Sequence, residues 1–66
     1  MEFKDILKSL RNEKRITQSQ LAKEINFSLS VVNKWENGKK SPSVEAIKIL
    51  AKYFCVTTDF LLGMED

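Results

Sequence analysis

The sequence predicts an all-α fold, a compact bundle of five short helices that contains a helix-turn-helix. Three observations support this prediction. Apolar residues recur every three or four positions, which is the spacing of an amphipathic helix. Serine and threonine residues stand where helices need N-terminal caps. With 42% hydrophobic residues, two glycines and one proline, the composition suits a single folded domain over residues 1–66 and shows no sign of strands or disorder.

The first helix is predicted over residues 2–13. The residues on its apolar face are Phe3, Ile6, Leu7 and Leu10. Their i, i+3, i+4, i+7 spacing brings them onto one side of a helix. Glu2 and Asp5 lie near its N-terminus, and Lys8 and Arg11 lie toward its C-terminus, which suits the dipole of the helix.

The second helix, residues 18–25, is expected to begin at a capping box. Thr17 and Gln20 stand three residues apart, so the hydroxyl and the amide can each bind a backbone N–H left free at the helix start. The turn that follows calls for a left-handed residue. Asn26 tolerates that conformation better than any residue except glycine.

The third helix follows after one short turn. Ser28 is its expected N-cap, and Phe27 and Val32 form a hydrophobic staple across that cap. Gly38 supplies the C-terminal stop. Two capped helices joined by so short a turn predict a helix-turn-helix over residues 17–38.

Two more helices are predicted after Pro42, which cannot continue a helix from before it. Ser43 is preferred to Ser41 as the cap of the fourth helix. The buried stripe of that helix is expected to be Val44, Ile47, Leu50, Ala51 and Phe54. Thr57 then caps a short fifth helix over residues 57–62.

The exposed face of the third helix carries polar side chains. Val32 and Trp35 are three residues apart and should both point into the core. At about 100° per residue, Ser30 lies almost opposite to them, and Asn33 and Lys34 lie outside the core. Such donors and acceptors can meet base edges in the major groove of DNA. A solvated helix face without any ligand is the alternative interpretation.

Positive charge is concentrated around these helices. Residues 11–40 contain seven basic and three acidic residues, a net charge of +4. The rest of the chain contains four basic and six acidic residues, a net charge of −2. This asymmetry favours a polyanionic partner on one side of the domain.

Several spaced elements together resemble the phage repressor and Cro proteins, the XRE family of helix-turn-helix regulators. They are Arg11, TQSQLA at 17–22, the Ser28 cap, WENG at 35–38, Pro42 and VTTDFLLG at 56–63. The resemblance covers nearly the whole chain and implies a lambda-repressor-like DNA-binding domain. The family often has glycine or asparagine where this chain has Arg15, and a positive φ there costs an arginine about 1 kcal/mol.

The resemblance also implies which residues contact DNA. In the family, the first, second and sixth residues after the cap of the third helix most often touch bases. The candidate base contacts are these three, Leu29, Ser30 and Lys34, together with Asn33. The candidate phosphate contacts are Arg11, Gln18, Asn37, Lys39 and Lys40. The alternatives are burial of Leu29 against the second helix and a merely solvated loop at Lys39 and Lys40.

Arg11 and Glu36 are a linked pair in the family, in which the arginine also reaches a phosphate. A carboxylate can orient the guanidinium fork, so the pair is expected to brace the first helix against the third. Trp35, next to Glu36, is expected to belong to the core and not to a stacking platform for single strands.

A homodimer is expected, because a two-fold symmetric operator needs two copies of the domain. The resemblance implies an interface at the fifth helix, formed by Phe60, Leu61, Leu62 and Met64. The expected partner is double-stranded operator DNA with an inverted repeat, and the expected outcome is repression, although the sequence does not separate a repressor from an activator.

Enzyme activity and cofactors are not expected. Cys55 is the single cysteine and histidine is absent, so the chain can build neither a metal site nor a cysteine–histidine pair. No apolar run approaches the roughly 20 residues that cross a bilayer, and the N-terminus does not look like a signal peptide. The expected location is the cytoplasm, on the nucleoid of a bacterium or as a phage-encoded protein.

Two alternatives stay open. The same fold could serve as a protein-interaction module, antitoxin-like or binding an antirepressor, and such a module would not need the basic segment at 11–40. Family members often continue beyond the LLG segment at 61–63. The chain could therefore be a DNA-binding domain taken from a longer protein.

Overall fold

A computed structural model describes residues 1–65 as five α-helices joined by short turns. The helices are α1 (Phe3–Glu13), α2 (Gln18–Ile25), α3 (Leu29–Glu36), α4 (Val44–Phe54) and α5 (Thr58–Leu61). No strand forms within these described residues. The prediction of an all-α fold with five helices is confirmed.

The last four helices each begin at a side-chain cap. Thr17 Oγ1 accepts from the backbone N–H of Gln20 at 3.0 Å, and Gln20 Oε1 accepts from the N–H of Thr17 at 2.7 Å. These two bonds form the predicted capping box. The caps of α3, α4 and α5 are Ser28, Ser43 and Thr57. The preference for Ser43 as the cap of α4 is therefore confirmed.

Three non-glycine residues within the described part of the chain have a left-handed backbone: Arg15 (φ 58°), Asn26 (φ 64°) and Cys55 (φ 58°). Asn26 was predicted to do so from its type, and Arg15 was suspected from the family resemblance. Cys55 was not foreseen. It ends α4 as Asn26 ends α2, with its N–H directed at two carbonyls of the last turn. Those bonds offset a conformational cost of about 1–2 kcal/mol at each residue.

The core is built from the inward faces of all five helices. Its most deeply buried side chains are Leu7, Leu21, Val32, Trp35, Leu50 and Leu61. The rings of Phe3 and Phe27 lie against Trp35, with ring centroids at 6.3 and 5.2 Å from that of the indole. Trp35 is thus a core residue, as its spacing from Val32 predicted. α3 packs on α1 and α2, and α5 packs on α1 and α4.

The buried stripe predicted for α4 is wrong at its first residue. Val44 is 75% exposed, whereas Ala46 is buried. Val44 lines an open groove with Pro42 and Leu62, between the start of α4 and the end of α5. No other helix of residues 1–65 therefore covers the first turn of α4 on this side.

The prediction that Leu61 contacts a second subunit is also wrong. Leu61 has no exposed surface, because α5 is a single turn that packs this side chain against α1 and α4. Of the other three residues predicted for that interface, Phe60 is half-buried, and Leu62 and Met64 are exposed. Of the four residues predicted for the interface, these three have surface that a partner could reach.

Leu61→Ala is expected to lower the free energy of unfolding by about 2–4 kcal/mol, because it removes buried methyl groups and leaves a cavity. The matched control is Leu62→Ala at the next residue, which is 46% exposed and should cost less than about 1 kcal/mol. Urea denaturation followed by circular dichroism measures both values. Equal losses in the two variants would contradict the described packing of α5.

Candidate nucleic-acid interface

The outer face of α3 consists of side chains that leave the core. Val32 and Trp35 point inward and are buried. The exposed residues of the helix are Leu29, Ser30, Asn33 and Lys34. Leu29 is 49% exposed, so half of its side chain remains available for contact. All four residues predicted to touch bases thus lie on the accessible side of one helix.

The turn between α2 and α3 sets the direction of α3. Asn26 reverses the chain in its left-handed conformation, and the N–H of Phe27 then donates to the carbonyl of Ala22 at 2.9 Å. The ring of Phe27 packs at a tilt against Trp35, near the other end of α3. The residue before the cap and the last turn of the helix are therefore tied to each other, which fixes the entry angle of α3.

A buried carboxylate joins α3 to α1. The Glu36 side chain has no exposed surface, so its charge needs partners. Arg11 Nε donates to Glu36 Oε2 at 2.7 Å, and Arg11 Nη2 donates to Oε1 at 3.0 Å. Arg11 Nη1 donates to the carbonyl of Ile16 at 2.8 Å. The hydrogen bonds that Arg11 donates to Glu36 raise the pKa of Arg11, and burial acts in the opposite direction, so the guanidinium stays charged.

A chain of amide hydrogen bonds leads from this carboxylate to the surface of α3. Gln18 Nε2 donates to Glu36 Oε1 at 3.1 Å, and Asn33 Nδ2 donates to Gln18 Oε1 at 3.1 Å. Asn37 Nδ2 donates to Asn33 Oδ1 at 3.0 Å. We call these four residues, Glu36, Gln18, Asn33 and Asn37, the polar relay. Three of them were predicted to contact DNA, and the structure brings their side chains into contact with one another.

Positive charge borders the C-terminal end of α3. Lys39 and Lys40 follow Gly38, which has a φ of 73°, in an exposed loop. Lys4 lies at the same edge, since a β-carbon added to Gly38 would stand 3.1 Å from Lys4 Cδ. Lys4 and Lys40 line one cleft. Lys4 is not among the predicted DNA contacts, because it is far from this loop in the sequence and no local pattern links the two.

Other kinds of site find no support in residues 1–65. No group of three or more His, Cys, Asp or Glu side chains there could hold a metal ion. The thiol of Cys55 is exposed and unbridged. No helix in the same part of the chain is both long enough and apolar enough to cross a membrane.

Two capped helices around a left-handed turn, the second with an exposed polar face, define a helix-turn-helix domain. The chain belongs to the XRE-type helix-turn-helix family, whose family model, described as helix-turn-helix, matches residues 7–61. The resemblance to the XRE family of helix-turn-helix regulators is thereby confirmed. Proteins of this family are DNA-binding regulators of transcription.

Two similar proteins carry names that describe such regulators. The chain is 44% identical over 66 residues to the HTH-type transcriptional activator BcrR of Enterococcus faecalis. The matched region is 100% of this chain and 32% of BcrR. It is 33% identical over 60 residues to the uncharacterized HTH-type transcriptional regulator YobD of Bacillus subtilis (strain 168). Here the matched region is 91% of this chain and 54% of YobD. The chain therefore spans about a third of BcrR and about half of YobD.

Arg11→Met is expected to lower the free energy of unfolding by about 2–3 kcal/mol, because the buried Glu36 carboxylate loses its charged partner. The value lies below that of a fully buried pair, since the Arg11 side chain is 13% exposed. Arg11→Met combined with Glu36→Leu should recover most of the loss, because no buried charge is left. Urea denaturation measures both variants.

The control for this pair is Lys8→Met, which removes a positive charge from the exposed side of α1 and should change stability by less than about 0.5 kcal/mol. A double variant no more stable than Arg11→Met alone would mean that the unpaired carboxylate is not the cause of the loss.

Proposed function

We propose that this chain is the DNA-binding part of a transcription regulator and that it recognises a specific sequence in double-stranded DNA. The observation that carries the proposal is the exposure of Ser30 and Lys34 on a helix whose opposite face is fixed in the core. A rigid α-helix with donors on its outer face fits the major groove, which is about 12 Å wide. No side-chain hydrogen bond within residues 1–65 occupies either residue.

In the proposed complex, α3 lies in the major groove and α2 crosses the DNA backbone. Lys34 donates to guanine O6 and N7, which are the acceptors that a lysine or arginine prefers. Ser30 both donates and accepts, so it suits several base edges. Leu29 offers an apolar surface to the methyl group of a thymine.

Phosphate contacts are proposed on both sides of this groove. The first backbone N–H groups of α2 form an anion site at one side, next to Gln18. Lys39, Lys40 and Asn37 lie after α3, and Lys4 adds a positive charge to that edge. The net charge of +4 over residues 11–40 supports this arrangement.

Arg11 is proposed to add one further phosphate contact. Three of its five N–H groups bind Glu36 and Ile16 within residues 1–65. Two N–H groups therefore remain for a phosphate oxygen, and the bonds to Glu36 hold the guanidinium plane in a fixed orientation.

We propose further that the chain acts as a homodimer on an inverted repeat in cytoplasmic DNA, with half-site centres about 34 Å apart. The exposed apolar residues Leu62 and Met64, the half-buried Phe60 and the nearby Val44 support an interface at the end of the chain. A dimer bound over a promoter represses by excluding the polymerase. The similar protein BcrR is named a transcriptional activator, so we propose that the direction of regulation follows the position of the operator relative to the promoter.

Selection from a pool of randomised duplex DNA tests the function directly. The retained DNA is sequenced after binding at low salt and micromolar protein. Enrichment of a two-fold symmetric motif is the expected result, and it also gives the half-site spacing. A pool without any enriched motif would contradict the proposal and favour a protein-interaction module.

Lys34→Ala is expected to reduce discrimination at a single base pair of the selected motif by about 1–3 kcal/mol, because one bidentate contact is lost. Competition binding with every single-base variant of the motif measures this. Lys52→Ala, an exposed lysine on α4, is the control and should leave the preferences unchanged. An equal loss on all sequences would reassign Lys34 to the DNA backbone.

Lys39→Ala is expected to weaken binding to all duplexes alike and to lower the slope of log K against log salt by about 1, since one phosphate contact is removed. Titrations at four or more salt concentrations give the slope. Lys52→Ala again serves as the control. If the slope of the Lys39 variant equals that of the unmodified protein, Lys39 does not contact a phosphate.

A further inference from the structure

We propose that Gln18 and Asn33 are positioning residues, which hold α3 in the orientation needed for reading DNA, and that Asn33 itself contacts no base. This inference rests on the proposed function and reassigns two of the residues that the sequence analysis gave to DNA. It follows from the direction of the hydrogen bonds in the polar relay.

The carboxylate of Glu36 fixes that direction. Ionised beside Arg11, it can only accept hydrogen bonds. Gln18 must therefore turn its Nε2 toward Glu36, which leaves Gln18 Oε1 directed at Asn33. This oxygen in turn requires the Nδ2 of Asn33, so Asn33 Oδ1 is left to accept from Asn37. Rotating any one of the amides by 180° would place two donors or two acceptors against each other.

The bonds of the relay hold in place both polar atoms of the Asn33 side chain. Asparagine recognises adenine through its amide oxygen and nitrogen together. In this chain both atoms already have partners, Gln18 at 3.1 Å and Asn37 at 3.0 Å. The two bonds fix the plane of the Asn33 amide on the exposed face of α3, so its remaining N–H and lone pair cannot turn toward a base without breaking the bonds to Gln18 and Asn37.

The place of the relay in the fold explains what it does. Gln18 is the first residue of α2, and Asn33 lies in the second turn of α3. Their bond joins the two helices of the helix-turn-helix on the side that is open to solvent, away from the Phe27 and Trp35 contact in the core. The distance that Ser30 and Lys34 reach into a groove depends on the angle between these helices, and the relay fixes that angle from outside the core.

A double-mutant cycle on the selected motif tests the proposal. The variants are Gln18→Ala, Asn33→Ala and the two combined, and the control is Ser19→Ala, an exposed neighbour on α2 outside the relay. Each single variant is expected to lower discrimination about fivefold at every base pair read by α3, which corresponds to the loss of the Gln18–Asn33 hydrogen bond that both variants remove. The combined variant should be no worse than either one.

The opposite result is well defined. If Asn33 reads a base, Asn33→Ala loses preference at one base pair only, Gln18→Ala keeps all preferences, and the two effects multiply in the combined variant. That pattern would overturn the proposal.

A second measurement uses the free protein, so that failure of the relay and failure of the DNA function are separated. In Gln18→Ala, the side-chain amide resonances of Asn33 and Asn37 should shift in NMR spectra, whereas that of Asn12 on α1 should not. Unmoved resonances would overturn the relay and leave DNA binding untouched. Shifted resonances in a protein that selects no sequence would overturn both the proposed function and the positioning role in it.

Discussion

The buried charge of Glu36 is the constraint on which the arrangement of the first three helices depends. Moving a carboxylate out of water costs several kcal/mol unless donors replace the lost hydration. The donors come from Arg11 on α1 and from Gln18 on α2, and Glu36 itself ends α3. The bonds to this charge therefore tie all three helices to one another. Arg11 extends the constraint to the loop between α1 and α2 through its bond to the carbonyl of Ile16.

The same helix α3 therefore has two faces with different requirements. Its inner face holds Val32 and Trp35 in the core, where apolar contact stabilises the fold and the ring of Phe27 helps to set the entry angle of α3. Hydrogen bonds have direction, so the bonds of Glu36 and Asn33 add a second constraint on the rotation of α3. A chain of 66 residues buries only a small core, and this polar framework gives α3 a definite orientation in spite of that.

Local chemistry explains what the sequence could predict and what it could not. The capping box at Thr17 and the left-handed turn at Asn26 depend on residues that are close together in the sequence, so both could be predicted from it. The pairing of Arg11 with Glu36 came from the family resemblance alone. Helical spacing showed which side of a helix is apolar but not whether a neighbour covers it, which explains the error at Val44. The error at Leu61 came from the family resemblance, which does not say which residue of α5 the core needs. The bonds of the relay depend on how side chains of different helices are oriented toward one another, and no sequence pattern predicts those orientations.

The residues that stabilise the fold are separate from the three exposed residues of α3 that are proposed to contact bases. Leu29, Ser30 and Lys34 are exposed, and no side-chain hydrogen bond ties them to the rest of residues 1–65. Side chains at these three positions can change without disturbing either the core or the buried charge. If these residues read DNA as proposed, new target preferences can evolve in a few substitutions from an intact scaffold, and an attempt to transplant another protein's specificity onto α3 should leave Asn33 and Asn37 in place.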